Sequence, residues 1–176
     1  ISSSKGNTEE FLKALKLLKS FKLNTFQYRR KNLNQKEVEK ELKSIQKVCQ
    51  QESINFIVNS FHFKKPTNRF QGIHLTSHDL NKQSVRPIEA NKVLGASCHN
   101  KEDILKAESI NVDYIFLSPI KKTGSHNHAN EMGWELFKSL TKDTQLKVLA
   151  LGGLGRQDLL TAQKYGAHGI AGITQL

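Results

Sequence analysis

The feature that most constrains this chain is an alternation of short apolar runs with stretches of helical period. The runs read as strands at "NTFQY" (24–28), "INFIV" (54–58), "GIHL" (72–75), "KVLGAS" (92–97), "VDYIFLS" (112–118), "LKVLALG" (146–152) and "HGIAGI" (168–173), and Ile1–Ser3 reads as the tail of another. Between them, apolar residues recur at i, i+3 and i+4, the mark of a one-sided helix. Phe11, Leu15 and Leu18 do so within 8–21, and Val38, Leu42, Ile45 and Cys49 within 35–52. Helices are also predicted over 101–110, with Asn100 as N-cap, over 131–142 and over 155–165. Strands joined by helical crossovers pair in parallel. Up to eight such repeats in 176 residues predict an α/β fold, a (β/α)8 TIM barrel, as a single domain over 1–176. The alternative is a doubly wound open sheet. Its dinucleotide-binding form is disfavoured, because no Gly-x-Gly-x-x-Gly follows the first strand. The chain stops at Leu176, close behind Ile173. The eighth helix is therefore expected to be missing or truncated, its place taken by a second copy, an upstream domain or the early helices.

Composition removes several function classes. No run approaches the ~18 apolar residues of a membrane helix, and no secretory signal is visible, although residue 1 is not Met and the start reads as trimmed. Cys49 and Cys98 are far apart and outside any C-x-x-C pattern, which fits a reduced, cytoplasmic location better than a disulfide scaffold. The formal net charge is +11, and residues 1–70 carry 15 Lys and Arg against 6 Asp and Glu. Much of that excess, Lys13, Lys16, Lys19, Lys36, Lys40, Lys43 and Lys47, falls in two helical patterns and reads as a solvated outer face. A nucleic-acid partner is disfavoured: aromatic residues make up 7% and no recognition motif is present.

In a barrel the chemistry sits at the C-terminal ends of the strands. The polar residues that follow the strands are Gln27, Arg29 and Lys31; Asn59 and Ser60; His74 and Asp79; Ser97 and His99; Ser118 to His128; Gly152 and Gly153; and Gly172 to Thr174. The set is rich in phosphate binders, since small residues let backbone N–H groups approach an anion. Other readings stand beside this one. Gln27, Arg29 and Lys31 share a strand face and can form an ion-pair layer with Asp79 or another acid. Gly152 and Gly153 can merely end a strand. His74 and His168 lie in apolar strands and read as core residues. His126 and His128 form an H-x-H pair with no further clustered ligand for zinc. Cys98 and His99 are strand neighbours that point to opposite faces, against a thiol–imidazole pair.

Taken in order, these motifs resemble the thiamine phosphate synthase family. "FQYRRKNL" resembles its second-strand motif and matches Gln27, Arg29 and Lys31; "FIVNS" resembles a third-strand motif ending in Asn and Asp; "GIHLTSHDL" places Asp79 in an acidic position; "LGASCHN" matches Ser97. "DYIFLSPIKKTGSH" resembles a strand and its Thr-x-Thr-Lys turn, and "VLALGGL" and "GAHGIAGI" resemble the last two strands with their glycines. The wording of "GASCH", "TGSH", "GWELF" and "GIAGI" is closest to a subgroup in which this domain follows a Nudix hydrolase domain. The resemblance implies a transferase of thiamine biosynthesis that couples hydroxymethylpyrimidine diphosphate to a thiazole phosphate and releases pyrophosphate. It implies catalytic roles for Arg29, Lys31 and Ser97, and substrate contacts from Gln27, Asn59, Thr123, Ser125, His126, Gly152, Gly153, Gly172, Ile173 and Thr174. It implies Mg2+ at Asp79, small phosphorylated substrates, and a homodimer or an upstream Nudix domain as partner. Two positions depart from the family. Ser60 stands where it has a second metal-binding Asp, which weakens the Mg2+ site. His126 stands where it has a lysine, and a neutral imidazole contributes less to a phosphate. The alternative function is a non-catalytic phosphate-ligand binding module accompanying a Nudix domain.

Overall fold

The computed structural model describes residues 1–2, 7–19, 25–62, 70–122 and 131–172. They fall into two compact units, residues 1–74 with 91–93, and residues 75–90 with 94–176.

The first unit opens with helix α1 (Thr8–Lys19), then β1 (Thr25–Tyr28), α2 (Gln35–Gln51), β2 (Asn55–Asn59) and β3 (Gly72–Leu75, its last residue in the other unit). The three strands lie in chain order, β1 parallel to β2 with Gln27 opposite Ile57, and β2 parallel to β3 with Asn59 opposite His74. Helix α2 starts where a reciprocal cap satisfies its first N–H groups: Asn34 Oδ1 accepts from Glu37 N (3.1 Å) and Glu37 Oε2 accepts from Asn34 N (2.8 Å). Its buried stripe of Val38, Leu42, Ile45, Val48 and Cys49 joins Leu15 and the strand residues Phe26, Tyr28, Phe56 and Val58 in one core. Each large apolar side chain buried there contributes about 1.5–3 kcal/mol. Phe56 stacks on Phe26 at 6.2 Å and meets Phe70 edge-on at 5.4 Å. The lysines between the apolar positions are exposed at 13, 16, 36, 40, 43 and 47, the solvated face expected of them, and Lys19 lies among side chains outside the described set. Gly72 has no alternative, since a Cβ there would collide with the Val93 carbonyl oxygen.

The second unit contains α3 (Ser77–Asn81), β4 (Val93–Cys98, its first residue in the other unit), α4 (Lys101–Ser109), β5 (Tyr114–Leu117), α5 (Gly133–Thr141), β6 (Lys147–Leu151), a 3-10 turn (Arg156–Asp158), α6 (Leu159–Lys164) and β7 (Gly169–Ala171). β4, β5, β6 and β7 follow one another in order, every pair parallel. Asn100 caps α4 as expected, accepting from Asp103 N at 2.8 Å.

Seven strands are described where up to eight are expected. Ile1 and Ser2 are not in a strand, although Ser2 N donates to Gln27 O at 2.8 Å. Helix α3 was not expected: only five residues long, it is too short to show a period, and it is set by the Thr76 hydroxyl capping Asp79 N at 3.1 Å. His168 is exposed rather than core, because it sits one residue before β7, and its Nδ1 accepts from Val148 N at 3.3 Å. The expectation of a missing or truncated eighth helix falls on 173–176, outside the described residues. Among the described residues no helix is long and apolar enough to cross a membrane.

Candidate functional site

The end of β1 carries the first candidate set. Gln27 is a strand residue and 4% exposed, Arg29 lies just past the strand and is partly buried, and Lys31 is exposed in the following turn. The three do not share a strand face, because β1 ends at Tyr28. No ion pair joins Arg29 or Lys31 to an acid among the described residues. The acid of this region, Glu41 on α2, is engaged elsewhere. It lies 3.3 Å from Arg30 Nε in a pair whose members are both buried, and it accepts from Tyr28 Oη (2.8 Å) and Thr8 Oγ1 (3.0 Å).

Asn59, at the end of β2, donates from Nδ2 to Gln27 Oε1 at 3.4 Å and accepts Phe61 N at Oδ1, 3.0 Å. The Gln27 Nε2 group is buried and has no hydrogen-bond partner among the described residues. Such orphans are rare in protein interiors. Burial holds the Arg29 guanidinium below its usual range. Its charge acts on its neighbours: the Lys31 ammonium is lowered by burial and then by Arg29, and His62 and His74 are pushed down to about 4 and about 3 by the same two causes in that order. The result is an electropositive strand end in which both imidazoles are neutral. His74 is fully buried, the core histidine expected of it. Ser60 is also buried, and its N–H donates to His74 O at 2.9 Å.

In the second unit Ser97 is partly buried in β4 and Asp79 is nearly buried at the start of α3, its Oδ2 accepting the Thr76 hydroxyl at 3.0 Å. Gly152 and Gly153 follow β6 with φ of 108° and 66°. A Cβ on Gly152 would lie 2.8 Å from Pro119 Cα, and one on Gly153 would lie 2.9 Å from Lys122 O. The segment after β5 is laid against them, with Ile120 N donating to Leu151 O (3.0 Å) and Lys121 N to Gly152 O (3.1 Å). The glycines thus do more than end a strand: they permit close backbone approach. Lys121, which sequence reasoning did not single out, is tied to Asp158 at 2.7 Å, and Asp158 also accepts Gly155 N at 3.0 Å. The Lys121 contact, first among its causes, holds the Asp158 carboxyl below its usual range. Cys98 is fully buried and its thiol is pushed up by burial, then by Asp103, the opposite of an activated nucleophile. His99 turns away to the Ser118 carbonyl, 2.8 Å from Nδ1. Gly172 is buried; Thr123, Ser125, His126, His128, Ile173 and Thr174 lie outside the described residues.

Among the described residues no group of three or more His, Cys, Asp and Glu is placed to hold a metal. Asp79 offers one carboxylate at the start of α3. A single carboxylate is compatible with Mg2+, which commonly takes one or two carboxylates and completes its shell with water and substrate phosphate oxygens.

The family model described as "Thiamine monophosphate synthase" matches residues 1–176. The chain is 29% identical over 174 residues to "Putative thiamine-phosphate synthase 2" of Aquifex aeolicus, covering 99% of this chain and 94% of that protein. It is 33% identical over 149 residues to "Thiamine-phosphate synthase" of Persephonella marina, covering 84% of this chain and 71% of that one. A solved structure of thiamine phosphate pyrophosphorylase from Pyrococcus furiosus superposes with a TM-score of 0.72 at 22% identity, over 97% of this chain and 80% of the other. That likeness shows the fold, an α/β fold of the TIM-barrel type.

Proposed function

This chain belongs to the thiamine monophosphate synthase family, and from that premise we propose that it is a transferase joining hydroxymethylpyrimidine diphosphate to a thiazole phosphate. The bond that breaks joins the pyrimidine's methylene carbon to the diphosphate, which leaves with the electron pair. The bond that forms joins that carbon to the thiazole nitrogen. Such a reaction calls for little proton transfer. It calls for positive charge where the diphosphate leaves, for exclusion of water, and for alignment of the nucleophile.

The observation that carries this reading is the end of β1. A partly buried guanidinium with no acid paired to it among the described residues stands two residues from a buried amide whose nitrogen has no partner among them. An uncompensated cation and an orphaned donor are each costly in a folded protein, and a diphosphate oxygen relieves both. Arg29 suits two-point contact with such a group, and Lys31 adds a mobile point charge. Gln27 and Asn59 supply hydrogen bonds. In the second unit, Gly152 and Gly153 offer backbone N–H groups to a phosphate, with Ser97 as a hydroxyl donor. Thr123, Ser125, His126, Gly172, Ile173 and Thr174 complete the proposed substrate contacts on the strength of the family resemblance. Asp79 is the residue that would hold Mg2+, whose contribution when bound is to neutralise charge on phosphate oxygens. The match of one family model across 1–176 supports treating the chain as one functional domain. Nothing in these likenesses speaks for a Nudix partner.

The test is direct. The protein is incubated with both substrates and Mg2+, and thiamine phosphate is measured as its fluorescent oxidation product, with an active family member as control. Product above background is expected. Its absence, with ligand-dependent thermal stabilisation retained, would leave a binding module in place of an enzyme.

A further inference from the structure

The end of β2 and the turn that follows it touch the end of β1 and its turn at three points, all within the first unit. Asn59 Nδ2 reaches Gln27 Oε1, His62 Nε2 accepts Arg30 N at 2.9 Å, and Lys31 Nζ stands over the Phe61 ring, 5.7 Å from its centroid. The turn is itself braced: Phe61 N donates to Asn59 Oδ1 and His62 N to Asn59 O, both at 3.0 Å. His62 also packs on Tyr28 at 5.1 Å and meets Phe61 edge-on at 5.1 Å. On the other side, Arg29 N donates to Ser2 Oγ at 2.6 Å. Phe61 is 50% exposed, unusual for a phenylalanine with so many core positions nearby.

We propose that Phe61 and His62 are positioning residues for the diphosphate: His62 anchors the backbone between Arg29 and Lys31, and Phe61 holds the Lys31 ammonium on its ring face until the anion arrives. This rests on the synthase reading above and extends it to two residues that the family resemblance leaves without a role. The physical case is one of preorganisation. Arg29 and Lys31 lie beyond the last strand residue, where no ladder hydrogen bonds fix the backbone. A loop cation that must be ordered at each binding event spends affinity on that ordering. Here the backbone donor of Arg30, flanked by both cations, is tied to a side chain. That side chain is neutral because burial, and then Arg29, disfavour its charged form, so Nε2 stays an acceptor. An exposed aromatic face attracts an ammonium while leaving it able to move to a stronger partner.

The experiment compares steady-state kinetics and pyrophosphate binding of the wild type with His62→Ala, His62→Gln, Phe61→Ala, Phe61→Tyr, Lys31→Ala and the double variant Phe61→Ala with Lys31→Ala. His62→Ala should raise KM for the pyrimidine diphosphate roughly tenfold, the scale of one lost acceptor, with KM for the thiazole phosphate unchanged. His62→Gln, which keeps an acceptor at similar reach, should recover most of that loss. Phe61→Ala should weaken pyrophosphate binding about three-fold, Phe61→Tyr should not, and Phe61→Ala should add nothing once Lys31 is absent. Lower melting temperatures with an unchanged KM for the diphosphate would reduce both residues to packing and overturn the inference. So would a Phe61→Ala effect of equal size with and without Lys31. A wild type that neither turns over nor binds pyrophosphate would overturn the synthase reading itself, and this inference with it.

Discussion

Two neighbouring arginines in the first unit, set against a lysine in the second, show how this protein separates structural charge from available charge. Arg30 is buried against Glu41, and that acid is further held by Tyr28 and Thr8. Lys121 is tied to Asp158, which in turn caps the backbone at Gly155. Arg29, one residue from Arg30, is paired with no acid among the described residues. The first unit presents its candidate ligand contacts as side-chain charge and amide. The second presents backbone brought close by two glycines, with its nearby lysine already neutralised. A cation that is paired holds the fold, and a partly buried cation that is not paired is the one to test for a ligand.

The largest expected effect is on stability, at the structural arginine. Arg30→Ala leaves Glu41 buried without its cation and should cost about 3–5 kcal/mol, read from urea unfolding midpoints. A loss well under 1 kcal/mol would mean that the pair is as dispensable as a surface one. Next is activity at the available arginine. Arg29→Ala should lower kcat/KM by about 10²- to 10³-fold with little change in the unfolding midpoint, while Lys121→Ala changes turnover far less. Equal losses from the two would erase the contrast. In the glycine-built region, Gly152→Ala must adopt φ of 108° and displace Pro119, and should cost about 2–3 kcal/mol. A neutral result would show that the segment after β5 yields freely.

The smallest effect is on pH dependence, and it belongs to the first unit. His62 and His74 are held to about 4 and about 3, below the ordinary 6.5, by burial and then by Arg29. Both are neutral in the fold at pH values where the unfolded chain takes up protons. Their contribution is therefore present in full above about pH 6.5 and is lost as pH falls toward 4. The melting temperature should decline from pH 6.5 to 5, and His62→Gln should make the decline shallower. A flat profile through that window would mean that the two rings are more solvated than their packing indicates.

Most of the elements were legible from pattern. The stripe of Val38, Leu42, Ile45 and Cys49, the N-cap Asn100 and the apolar runs each reflect a local rule, a period of 3.6 or one hydrogen bond. Helix α3 was not legible, because five residues carry no period. The strand expected over 24–28 does end at Tyr28, but the shared face of Gln27, Arg29 and Lys31 does not hold, since their alternation continues in sequence after the ladder stops. Gln27, Arg29, Asn59, Asp79, Gly152 and Gly153 were legible as site candidates through their order along the chain. Phe61 and His62 were not, although they directly follow Asn59 and Ser60, because neither their spacing nor their chemistry marks them.

By itself the sequence determined the order of the elements, the family and the residue types on offer at the strand ends. Those follow from local periodicity and from motifs carried within a few residues. Only the tertiary structure decided which charges are engaged. Glu41 is eleven residues from Arg30 along the chain and thirteen from Tyr28, and nothing local says that it neutralises Arg30 rather than Arg29. That choice is made by packing α2 against β1. It seats one guanidinium against a buried acid and leaves the next one partly buried with none among the described residues.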